Sequence, residues 1–188
     1  MALVEPVPFP FEIDWSERFV EEREHETTIQ EAWDGTEQRR NLSEVPNRRF
    51  RYTIKALEAS HDEFQRLQAA LYSGQHLTWW VPYWPRERYI NGVVAVGATS
   101  IPVTATDSMA LVVGHGVLLY RNPARYEVVL VEAIAPTAIT VTATTLDWGR
   151  DKVIPCFRGL MAPETAMTLL DVDLASTQVT FDLDITEA

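Results

Sequence analysis

Residues 48–57 read RRFRYTIKAL. Phe50, Tyr52, Ile54 and Ala56 alternate with Arg49, Arg51, Thr53 and Lys55. A period of two is the mark of a half-buried strand, here with a basic outer face. The matching pattern lies near the other end of the chain, in QVTFDLDIT at residues 178–186. There Val179, Phe181, Leu183 and Ile185 alternate with Thr180, Asp182 and Asp184. This second strand has an acidic face, and its apolar face needs a partner sheet. The sheet of the 48–57 strand is the expected partner. Its acids would then oppose Arg49, Arg51 and Lys55 across strands or across subunits.

Upstream, Pro6, Pro8 and Pro10 give an extended arm, because proline fixes φ and lacks the amide a helix needs. Residues 18–33 and 36–43 flank Asp34-Gly35, a pair that favours a hairpin turn. The first of these runs is rich in Glu, yet Thr27, Thr28 and Ile29 are β-branched and favour strand. Downstream, Ser60 and Glu63 form a capping box, followed by Phe64, Leu67 and Leu71 at helical spacing and by Gly74. One packed helix over about 61–73 is expected.

Residues 91–154 differ in composition, being rich in Val, Ala, Thr and Gly with few charges. Four to six short strands fit into this span, in VVAVGATSIPV, VGHGVLLY, RYEVVLVEAI and AITVTATTL. Such a density of strands and turns predicts a small barrel or sandwich. The chain is thus expected to form one β domain from residues 1–90 and 155–188, with a small β module of residues 91–154 inserted into it. Insertion at a loop tip is structurally cheap because domain termini tend to lie close together.

The 188 residues carry 27 acids and 16 bases, a net charge of −11. Nucleic-acid binding by phosphate neutralisation requires clustered bases, which argues against such a role. Lys55 and Lys152 are the two lysines; every other base is Arg, which favours bidentate ion pairs. No apolar run of about 18 residues is present, so no membrane-spanning helix is expected. The first 15 residues lack the basic and apolar segments of a secretory signal.

Catalytic chemistry finds little to work with. His25, His61, His76 and His115 are scattered, without metal-ligand spacing. Gly114-His115-Gly116 lacks the third glycine and the helix of a dinucleotide site, and reads as a turn. Asp171 and Asp173, with Asp182 and Asp184, offer oxygen ligands, but not the glycine and glutamate spacing of a calcium loop. The lone Cys156 excludes an internal disulfide and reads as a buried small residue. No enzyme activity, cofactor or metal is expected. The block Leu77-Thr78-Trp79-Trp80-Val81-Pro82-Tyr83-Trp84-Pro85 admits two readings. Trp79, Trp80, Tyr83 and Trp84 either seal a core or subunit contact, or stack on a glycan. The second reading makes the alternative function a carbohydrate-binding module for host surface glycan.

Several motifs follow one another in a specific order. An F-P-F-x-x-x-W-S arm at Phe9 to Ser16 precedes E-x-W-D-G-T-E-Q-R-R at Glu31 to Arg40 and N-R-R-F-R-Y-T at Asn47 to Thr53. The capped helix, the W-x-x-P-Y-W-P block at Trp79 to Pro85 and G-A-T-S-I-P-V at Gly97 to Val103 come next. In this order the chain resembles the minor tail proteins of tailed bacteriophages, in particular distal-tail-protein-like components of long flexible tails. The resemblance implies a mainly β, tail-tube-like β-sandwich or split barrel with one packed helix. It also implies a structural virion protein at the tail tip, made in the host cytoplasm. Such a protein forms a homo-oligomeric ring, usually hexameric, that joins the tail tube protein to the hub or tip proteins and leaves a channel for DNA. A closed ring repeats one head-to-tail interface. Arg39, Arg40, Arg48, Arg49 and Arg51 are the candidate basic side of that interface. Glu21, Glu22, Glu24, Asp182 and Asp184 are its candidate acidic side.

Overall fold

The computed structural model describes residues 6–8, 12, 20–24, 27–31, 37–41, 47–57, 78–122, 124–161, 168–169 and 176–185. The helix expected at 61–73, the Asp34-Gly35 turn and the Asp171/Asp173 pair lie outside these residues. The strands begin with β1 (Val7–Pro8), β2 (Val20–Glu24), β3 (Thr27–Glu31), β4 (Glu37–Asn41) and β5 (Asn47–Leu57). Next come β6 (Thr78–Pro82), β7 (Arg88–Tyr89), β8 (Ser100–Pro102), β9 (Gly116–Asn122), β10 (Arg125–Ala135) and β11 (Ala138–Val141). The last are β12 (Lys152–Met161), β13 (Thr168–Leu169) and β14 (Ser176–Ile185). Among the described residues the fold is mainly β, and the helical element is a 3-10 turn at Trp84–Arg86.

The strands pair antiparallel, apart from the parallel pair β1–β6. The main path runs β2-β5-β14-β12-β9-β10-β11-β8. The two alternating strands read from the sequence are direct neighbours. β14 pairs with β5 from Ser176↔Leu57 to Ile185↔Arg48. β2 lies on the other side of β5, from Val20↔Arg51 to Glu24↔Asn47. β3 and β4 form a separate two-stranded sheet, with Glu31 opposite Glu37.

β12 connects the two parts of the path. Its first half, Lys152 to Pro155, pairs with β9, and Lys152 and Val153 also pair with β7. Its second half, Cys156 to Leu160, pairs with β6, and Leu160 and Met161 pair with β14. One strand therefore runs through residue 155, the position at which the composition changes. Pro155 sits at the last β9 position, where the ladder passes to new partners. A proline there costs little, because the ladder changes partner at the residue without an N–H. Its carbonyl still accepts a 2.8 Å bond from the Tyr83 amide.

The strands expected in the 91–154 span are present as β8, β9, β10 and β11. β10 pairs with both β9 and β11, with an irregularity between Val131 and Ala133. Isolated bridges link Ile90 to Val103 and Val94 to Trp148. The inward residues form one apolar cluster, which includes Ile101, Met109, Leu119, Val129, Val141, Trp148 and Val153. Gly114 has a φ of +85°, the turn conformation expected of the G-x-G segment. Gly116 differs from it in opening β9 directly beneath the Trp80 ring.

Candidate functional site

The backbone register sets the candidate charged residues in order. Arg49 lies opposite Glu22 of β2 and opposite Asp184 of β14. Arg51 lies opposite Val20 and Asp182, and Arg48 opposite Arg23 and Ile185. Glu21 is opposite Phe50, and Glu24 opposite Asn47. Much of the acidic set is thus interleaved with the basic set on adjoining strands of one chain. Arg39 and Arg40 belong to the separate β3–β4 sheet, opposite Ile29 and Thr28. The arginines that the sequence groups together therefore occupy two sheets.

Glu21 has a partner within the chain. Tyr83 Oη donates to Glu21 Oε2 at 2.8 Å. This bond ties β2 to the exit from β6. Tyr83 also packs edge-on against Phe157 of β12, with ring centroids 5.4 Å apart.

The tryptophans of the aromatic block are buried, with Trp79 2%, Trp80 4% and Trp84 0% exposed. Rings so covered offer no open face for stacking on a sugar. Trp79 and Trp80 are consecutive on β6, so their rings leave opposite faces of the strand. The Trp80 ring lies against Gly116 of β9. The Pro85-containing 3-10 turn then places Trp84 edge-on to Tyr120, with centroids 5.2 Å apart. The exposed Arg158 lies 5.4 Å above the Trp80 ring, an arrangement that favours a cation over the ring face.

A charged clasp lies beside Trp84. Lys152 Nζ donates to Glu12 Oε1 at 2.6 Å and lies 3.2 Å from Glu87 Oε2. The Glu87 approach is an ion pair without hydrogen-bond geometry. The ammonium also lies 5.5 Å from the Trp84 ring centre. Burial opposes the charged form of Lys152, but the bond to Glu12 and the charges of Glu12 and Glu87 outweigh it and raise the pKa. Sequence reading passed over this site. The signal for it was Lys152 itself, a lysine in a chain that otherwise uses Arg.

Glu127 is a second missed residue. Its carboxylate accepts from Thr145 N at 2.8 Å, from Thr145 Oγ1 at 2.7 Å and from the Trp148 indole N–H. A single acid thus fixes the 145–148 segment beneath β10. At the rim, Arg121 grips Asp151 through two bonds of 2.8 and 2.7 Å, and Arg125 meets Asp147 at 2.8 Å. Both carboxyls are held below the usual Asp range, chiefly by these arginine bonds. Cys156 is buried, and burial pushes its thiol pKa up. A thiol held protonated is a poor nucleophile.

Among the described residues, no group of three or more His, Cys, Asp or Glu could hold a metal ion. No helix among them is long and apolar enough to cross a membrane. No family model matches the chain, and no curated protein matches its sequence.

Proposed function

We propose that this protein is a structural component of a bacteriophage tail tip, assembling as a homo-oligomeric, hexameric ring between the tail tube and the hub. The observation that carries the reading is the shared strand β12. It joins the β2-β5-β14 strands, rich in charged residues, to a small unit whose interior is filled with apolar side chains. Two β units held on one continuous strand cannot swing freely, a property suited to a fixed connector. The motif order from Phe9 to Val103 supplies the family resemblance.

In this reading the β2-β5-β14 sheet belongs to the ring-forming sandwich. The residue 91–154 span is a small barrel: the path β12-β9-β10-β11-β8 returns to β12 through the Ile90–Val103 bridge and β7. Its filled interior argues for a spacer in place of a ligand cup. Arg49 and Arg51 already have acids at neighbouring register positions, so they stiffen the sheet. Arg39 and Arg40, opposite uncharged positions of β3, and Arg48, opposite Arg23 and Ile185, have no acid at a paired register position and are the arginines assigned to an acidic neighbour. Exposed ion pairs contribute only about 0–1 kcal/mol each, so they set register more than affinity. The acidic surplus keeps DNA moving through the channel by repulsion.

Quantitative mass spectrometry of purified phage particles tests this role. A copy number of one ring, in step with other tail-tip proteins, supports it. Absence of the chain from particles overturns it.

A further inference from the structure

The N-terminal arm meets the rest of the chain in a specific way. β1 adds to the edge of β6 opposite β12, with Val7 beside Trp79 and Pro8 beside Trp80. Beyond this two-residue ladder, Glu12 reaches Lys152 at 2.6 Å. Pro8 has no amide to donate, so the ladder is weaker than its length implies. If Glu12 leaves, Lys152 still has Glu87 at 3.2 Å. Arm release therefore does not leave the Lys152 charge without an ion-pair partner.

We infer that the arm is an exchangeable strand: within the assembled ring, the arm of one copy lies on β6 of its neighbour and places its Glu12 against that neighbour's Lys152. The inference rests on the ring reading above. The occupant is specified by what already sits on the edge, because an identical arm makes identical contacts in the next copy. Exchange of an identical element between protomers has a low free-energy cost. Pro6, Pro8 and Pro10 hold the arm extended before it docks, which lowers the ordering cost of binding. Residues 13–19 join the arm to β2, and seven residues span at most about 25 Å. The neighbour's β6 must therefore fall within that reach.

The test combines Glu12→Cys and Lys152→Cys in the full-length chain, treated with a short bis-maleimide while light scattering records the assembly mass. Cys156 remains in place, since its buried thiol reacts poorly, and the unsubstituted chain serves as control. Pro6→Cys with Thr78→Cys, flanking the Val7–Trp79 register, repeats the experiment without disturbing the ion pair. Arm exchange predicts a ladder of multi-chain products from the assembled fraction. It also predicts two-chain products when tagged Glu12→Cys chains are assembled with untagged Lys152→Cys chains. Assembled protein that yields only internally linked single chains overturns exchange and leaves the ring standing. Monomeric protein that yields only internally linked single chains overturns both.

Discussion

Trp80 rests on the bare backbone of Gly116. A Cβ at that glycine would fall 2.9 Å from Trp80 Cδ2 and 2.8 Å from Val128 Cγ1. One neighbour is a buried ring held under Arg158, and the other belongs to the adjoining strand β10. Neither can retreat without disturbing the junction between β6, β9 and β12. Gly116→Ala should therefore destabilise the protein by about 1–3 kcal/mol, the usual cost of overpacking. Urea unfolding should show a lower midpoint with an unchanged slope. A neutral result would mean that Trp80 is not seated on β9.

Glu127 holds the 145–148 segment through four donors: Thr145 N and Oγ1, Leu146 N and the Trp148 indole. Glu127→Ala leaves Thr145 N and the Trp148 indole without this acceptor. A loss of about 2–3 kcal/mol is expected, in the range for hydrogen bonds to charged groups. Glu127→Gln should cost less, since its carbonyl still accepts. Chemical denaturation ranks the two variants, and equal losses would contradict the assigned role.

Strand register makes a separate prediction. Glu22, Arg49 and Asp184 form one row across β2, β5 and β14. Cross-strand opposite charges contribute about 0.2–1 kcal/mol. Arg49→Glu should be destabilising, and adding Asp184→Arg should recover part of the loss. A double-mutant cycle with zero coupling would place these residues in different rows.

Acid should weaken the 91–154 span first at its rim. Arg125 and Arg121 depress the carboxyl pKa values of Asp147 and Asp151 in the folded protein. A depressed folded pKa gives stability that is present above the unfolded value of about 3.9 and lost as pH falls through the folded value. Thermal midpoints should therefore drop below pH about 4. Asp151→Asn should have a lower midpoint at neutral pH and a shallower acid decline. If the variant and the parent decline in parallel, the Arg121–Asp151 pair contributes nothing.

How much of this could be read from the sequence depended on the range of the interaction. Strand β5 was legible because each alternate residue of 48–57 has one polarity, and β14 was legible for the same reason. The alternation called only for a sheet to cover each apolar face; that β5 and β14 are hydrogen-bonded neighbours in one sheet is a finding of the structure. The continuity of β12 was hidden, because KVIPCFRGLM shows no alternation and carries a proline. Such a strand has different partners along its length, so no single face is written into it. The clasp was hidden for another reason: Glu12, Glu87 and Lys152 are far apart in sequence, and only the path of β1 along β6 brings Glu12 to Lys152.

The central claim is that copies of this chain close into a ring, and the mass of the purified protein in solution tests it most directly. Light scattering over a range of concentrations should approach the mass of a hexamer and then stay constant, as a closed ring requires. A monomeric mass at every concentration would contradict the account.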